Sequence, residues 1–191
     1  FKSCSRDVRR LIDDFNRKNG ALDRSWYGPE GLGGYQIINR QVDVLGGGPI
    51  YWRGDSFAVG QEAELTFVMV DPDAREQTLL LKVQGAPDWR KGVIEVLYDA
   101  RRGEARVETL RLGQTRFNIY AGIPLLLQAG DQFGAQALAD GRVLVFHNRA
   151  LAGVIVLSDA DQAFFNSRGG RVGVWFIDAG DAAFDDFRGG S

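Results

Sequence analysis

The sequence predicts an all-β domain built from two stacked antiparallel sheets, and three observations predict it. Apolar and polar residues alternate with a period of two along many short segments. Glycine-rich turns punctuate those segments about every eight to twelve residues, and no long helical pattern interrupts them.

The elements follow in order. The first strand is expected over 8–15, although Ser5 to Asp14 also fits a helical turn, and 35–39, 42–45 and 50–53 follow around Gly46-Gly47-Gly48. Longer strands over 63–70 and 78–83 flank the turn Asp71-Pro72-Asp73, and 93–99 and 105–112 flank Arg102-Gly103. Further strands cover 115–120, 132–138, 142–147 and 151–157, with Gly113, Asp140-Gly141 and His147-Asn148-Arg149 as turns. Ser158 then caps one short helical turn through Phe165, before strands over 171–177 and 183–187. In 171–177, Val172, Val174 and Phe176 share one face while Gly173, Trp175 and Ile177 share the other, so both faces are apolar. In 93–99, Ile94, Val96 and Tyr98 oppose Val93, Glu95, Leu97 and Asp99.

At 191 residues and 45% hydrophobic content, the chain reads as one domain with a substantial core, covering 11–188 after an N-terminal arm over 1–10. Its 23 basic and 25 acidic residues nearly cancel, which excludes the basic footprint of a nucleic-acid binder. The longest apolar runs, 143–146 and 154–157, fall far short of the ~20 residues that span a bilayer, so no membrane insertion is expected. Cys4 is the only cysteine and can pair only with another chain.

The two ends echo one another: Asp13-Asp14-Phe15-Asn16-Arg17 near the start and Phe184-Asp185-Asp186-Phe187 near the stop. With Gly20, Leu22 and Trp26, the segment Tyr35 to Asn39, the hairpin Asp140 to Gly153 and Gly170 to Gly173, these residues resemble the concanavalin A-like lectin and glucanase superfamily. The likeness is to its laminin-G-like and carbohydrate-binding domains of bacterial secreted and surface proteins. The resemblance covers about 11–187 and implies a two-sheet antiparallel jelly-roll β-sandwich with neighbouring terminal strands. It also implies a concave sheet able to bind a saccharide or a peptide, and a calcium ion at the seam in several relatives.

Hydrolases resembling laminarinases carry a Glu-x-Asp-x-x-Glu strand, because retention needs two carboxyls about 5 Å apart, and this chain has none. Glu62-Ala63-Glu64 is the nearest echo, and it is read as pointing to opposite faces. Glu95 and Asp99 stand roughly 13 Å apart along one strand, too far for retention. His147, the only histidine, is expected at a hairpin tip, and the glycine runs precede strands rather than phosphate-binding helices.

The expected function is therefore a non-catalytic, lectin-like module, secreted or at the cell surface, with a polysaccharide or glycan as partner. The alternatives are a structural or adhesive module making protein contacts or self-associating, and a glycoside hydrolase. Rings that stack on sugar faces and polar groups beside them nominate Tyr51, Trp52, Arg53, Trp89, Tyr98, Tyr120 and Trp175. Asp13, Asp14, Asn19, Asp185 and Asp186 are the oxygen ligands that a structural calcium would use.

Overall fold

The computed structural model describes residues 10–191, so Cys4 and nearly all of the expected arm lie outside the described residues. In chain order the early strands are β1 (Arg10–Asp13), β2 (Gly20–Ala21), β3 (Trp26–Tyr27), β4 (Tyr35–Ile38), β5 (Gln41–Val44), β6 (Gly47–Trp52), β7 (Gln61–Met69) and β8 (Glu76–Val83). A 3-10 turn at Trp89–Lys91 precedes β9 (Gly92–Asp99), β10 (Glu104–Arg111), β11 (Asn118–Ile119), β12 (Ile123–Pro124), β13 (Gln132–Ala137), β14 (Arg142–His147) and β15 (Ala150–Val156). Helix α1 (Asp159–Phe165), β16 (Arg171–Ile177) and β17 (Ala183–Gly190) complete the chain.

The first sheet runs β15-β14-β13-β7-β17-β5-β4-β2, with β1 beside β17, and the second runs β11-β10-β9-β8-β16-β6-β3, with β12 beside β10. Every pairing is antiparallel. Alternation along each strand sends one apolar set inward: Leu65, Phe67, Phe133 and Phe184 from the first sheet, and Leu79, Val96, Val174 and Phe176 from the second. Phe176 and Phe184 stack across the gap at 5.2 Å and 12°. Each such ring contributes roughly 1.5–3 kcal/mol by leaving water.

The echoing ends meet as expected. Arg10 pairs with Gly189 and Asp13 with Phe187, and Phe15, Trp26, Phe184 and Phe187 close over the seam with ring centroids 5.1–6.0 Å apart. The first strand covers Arg10–Asp13 rather than continuing to Phe15, whose φ of 48° turns the chain out of extended geometry. Asn39-Arg40 and Asn148-Arg149 both have two successive positive φ values, the geometry of a tight hairpin turn whose twist matches its strands.

Three strands of two residues each, β2, β3 and β12, lie outside the expected set, because two residues cannot express a period. The strand expected over 115–120 shrinks to β11, since Arg111 N–H donates to Gln114 Oε1 and Gln114 N–H to the Arg111 carbonyl in a turn. Helix α1 starts as expected, with Ser158 Oγ accepting from Asp161 N–H at 3.3 Å. The Asp161 carboxylate turns inward and accepts from Thr109 Oγ1, Arg111 Nε, Asn118 Nδ2 and the Tyr120 hydroxyl at 2.5–2.9 Å. That network pins α1 to β10 and β11.

Candidate functional site

The same alternation that fills the core leaves Thr78, Leu80, Val93, Glu95, Leu97, Gly173 and Trp175 on the outer face of the second sheet. The ladder sets them in rows. One row reads Tyr27, Tyr51, Gly173, Leu80, Glu95, Glu108, and the next reads Pro49, Trp175, Thr78, Leu97, Arg106.

At one end of this face a second apolar cluster forms outside the main core. Tyr51, Leu80, Val83, Val93 and Leu110 are buried there, with Tyr27, Ala86, Trp89, Phe117 and Trp175 packed over them. Trp89 comes from the 3-10 turn, Phe117 from the loop before β11, and Trp175 from β16. The Trp89 ring lies 5.7 Å from Phe117 at 22° and 4.8 Å from Trp175 at 52°. Asp88 fixes the turn by accepting from Arg90 N–H at 3.2 Å. Guanidinium groups already occupy ring faces: Arg90 sits 4.5 Å from Trp89, and Arg53 sits 4.5 Å from Tyr27. A cleft of about 510 Å³, lined by 56–59, 83–86 and 169–171, opens beside the cluster.

The centre of the face is acidic. Glu95, 3% exposed, stands directly opposite Glu108, and its pKa is raised well above the carboxylate range by burial and then by Glu108 and Glu76. Burial also raises Glu108, against the opposing pull of Arg106 3.2 Å away, and it raises Glu76. Asp99 and Glu104 pair across the ladder, with Arg102 3.8 Å from the first and 3.6 Å from the second. Among the described residues, the Tyr51 hydroxyl, Thr78 Oγ1 and Glu95 Oε1 are buried without a hydrogen-bond partner. The nearby Glu95 charge, after burial, raises the Tyr51 pKa further. The arrangement can stack a flat apolar surface at one end and meet hydrogen-bond donors at its centre.

Of the expected ligand residues, Tyr51, Arg53, Trp89 and Trp175 gather here. Trp52 turns the other way and meets Trp26 edge-on at 5.7 Å, beside the main core. Tyr98 lies in the core, 2% exposed, its hydroxyl accepting from Leu127 N–H at 3.1 Å. Tyr120 belongs to the Asp161 network, where its hydroxyl also accepts from Ser158 N–H. Tyr27, Thr78, Glu76, Glu108 and Phe117 join the face without having been nominated. The alternation Glu104, Arg106, Glu108 on β10 carried a signal for the acidic side, whereas nothing local marks Phe117.

Glu62 and Glu64 need a correction: they are two residues apart, so they share the outer face of the first sheet rather than opposing one another. Arg149 and Arg188 lie 3.9 and 3.8 Å from Glu64. His147 stands at its hairpin tip, 3.0 Å from Asp131.

Four of the five expected calcium ligands, Asp13, Asp14, Asn19 and Asp185, accept hydrogen bonds from the protein. Asp13 accepts from Phe15 N–H, from both Nη atoms of Arg17 at 2.7 and 3.0 Å, and from Trp26 Nε1 at 2.8 Å. Asp14 accepts from Asn16 N–H, Asn19 from Asn39 N–H, and Asp185 from Asp186 N–H. Among the described residues, no group of three or more His, Cys, Asp or Glu is placed to hold a metal ion.

No family model and no curated protein matches the sequence. Solved structures do match. The carbohydrate binding module CBM66 from Bacillus subtilis aligns with a TM-score of 0.59 at 16% identity, over 91% of this chain and 95% of that one. The carbohydrate recognition domain of Emp46p in its potassium-bound form aligns at 0.60 and 11%, over 94% and 95%. An endo-β-1,3-glucanase from Pyrococcus furiosus aligns at 0.58 and 11%, over 95% and 94%. The chain therefore has the concanavalin A-like jelly-roll fold.

Proposed function

We propose that the chain is a non-catalytic, lectin-like module of a secreted or cell-surface protein, and that it binds a glycan on the outer face of its second sheet. The observation that carries this reading is the contact of Trp89, Phe117 and Trp175, three rings from separate segments gathered outside the core. Rings of this kind stack on the apolar faces of sugars, and the polar groups beside them meet hydroxyls. Solved relatives of the fold that are named for carbohydrate binding and carbohydrate recognition support it. A glycan array tests it. Wild-type protein is expected to bind at least one glycan, and Trp89→Ala and Trp175→Ala to lose that signal while still folding, with a melting temperature lowered by no more than several degrees. Silence across the array sinks the reading and turns attention to protein contacts through β15, an edge strand with Leu151, Val154 and Val156 exposed.

A second reading rests on the Glu95–Glu108 pair, since directly opposed ladder residues have Cα atoms roughly 4.5–5.5 Å apart and a retaining hydrolase needs two carboxyls at about that spacing. Binding without hydrolysis fits the surroundings better. Glu108 is held by Arg106, and burial raises both carboxyls, whereas a retaining pair needs one group ionised as nucleophile. Release of reducing ends from any glycan bound on the array, abolished by Glu108→Gln, would favour hydrolysis instead.

A further inference from the structure

We infer, building on the carbohydrate reading, that the saccharide taken by this face carries free amino groups, so that its ligand is a cationic amino sugar chain rather than a neutral or uronic one. Three observations converge on this class.

The first is charge. Glu76, Glu95, Asp99, Glu104 and Glu108 lie on or beside the outer face of β8, β9 and β10, and among the described residues only Arg102 and Arg106 form ion pairs with this group. A uronic acid would bring another carboxylate against this group, and like charges at close range are unfavourable.

The second is hydrogen-bond inventory. Glu95 Oε1, Thr78 Oγ1 and the Tyr51 hydroxyl are buried and unpartnered. Thr78 and Glu95 are diagonal neighbours across β8 and β9, because Leu80 opposes Glu95 and Thr78 opposes Leu97. Glu95 is also the first charge after burial to act on Tyr51. An ammonium group supplies three donors, no acceptor and a positive charge that would favour loss of the Glu95 proton, whereas a sugar hydroxyl supplies one donor and no charge. Burial holds the proton on Glu95 while no cation among the described residues stands beside it, so binding an ammonium group here would release that proton and would strengthen as pH rises.

The third is the rings. Trp89 and Tyr27 already hold guanidinium groups at 4.5 Å, which is direct geometry for cation attraction by these faces. Trp89 and Phe117 pack over the cluster of Tyr51, Leu80 and Val93 at one end of the face, next to the acidic centre, and lie outside the strands.

The test is calorimetric titration of the whole chain with three β-1,4-linked hexasaccharides: glucosamine, N-acetylglucosamine and glucose. The glucosamine oligomer is expected to bind at least ten-fold more tightly than the other two at low salt, and to lose most of that advantage at high salt. Glu95→Gln, which keeps shape and removes the group that an ammonium could ionise, is expected to cut the advantage at least five-fold at an unchanged melting temperature or a higher one. Glu76→Gln, at a half-buried position, is expected to act in the same direction and covers the case of a variant at Glu95 that fails to fold. Equal or weaker binding of the glucosamine oligomer overturns the inference, and if a neutral oligomer binds through Trp89 the carbohydrate reading still stands. Silence across the whole glycan array overturns the reading beneath it.

Discussion

Glu95 on β9 and Glu108 on β10 face one another across a single rung of the ladder, and only Glu108 has an arginine beside it. An asymmetric pair of this kind concentrates the electrostatic cost on Glu95, which is the more deeply buried member. The sheet tolerates it because Leu80, Val93 and Leu110 bury apolar surface around it.

Replacing Glu95 by glutamine should stabilise the protein in a pH-dependent way. The folded-state pKa of Glu95 is raised, so the native state keeps its proton after the unfolded chain, near 4.5, has released its own. Wild-type stability therefore falls as pH rises above 4.5, and the glutamine variant escapes that loss. Thermal melts should agree near pH 4 and diverge by roughly 3–6 °C in favour of the variant at pH 8. Parallel curves at both pH values would remove the buried charge from the account.

Asp161 is the opposite case. Burial works against its charge, but bonds from Thr109, Tyr120, Asn118 and Arg111 outweigh it and hold the pKa below the usual 3.8. Its contribution is present above pH 3.8 and is lost as pH falls through the lowered folded value. Asp161→Ala leaves those donors without their acceptor and should cost about 3–5 kcal/mol at pH 7, measured by urea unfolding.

Two tryptophans separate structure from surface. Trp26 is 1% exposed, packs against Phe15 and Phe187 and donates to Asp13, so Trp26→Ala should cost about 3–5 kcal/mol. Trp89, half-buried on a loop, should cost less than half of that, and a comparable loss would make it a core residue rather than a contact.

Calcium in excess should raise the melting temperature of the wild-type protein by less than 1 °C, on the order of experimental error, because the Arg17 guanidinium already neutralises both oxygens of Asp13. Arg17→Ala should lower stability and, by freeing that carboxylate beside Asp185 and Asp186, increase the response to calcium. A rise of several degrees in the wild type would place an ion at the seam.

Alternation was legible along β9 and β16, and with it the facing of Glu95 and Trp175, whereas Glu62 and Glu64 on the long β7 were misread as opposed. The closure of the ends was legible too, from the repeated Asp-Asp-Phe. Sequence could not say which strands become neighbours, because pairing brings together positions distant along the chain. Glu108 was therefore read apart from Glu95, and Phe117 apart from Trp89. Trp52 and Tyr120 show the other limit: an aromatic residue beside glycine or at a strand end looks available until a distant partner, Trp26 or Asp161, claims it.

The pairing of Arg10 with Gly189 has a mechanical consequence. Because β1 and β17 run antiparallel and their outer ends lie on one rung, tension applied to the two ends would open their hydrogen bonds one after another instead of loading them all at once. The seam would part like a zip at low force, β1 first, while the ladder of the second sheet, which shares no strand with it, keeps its register.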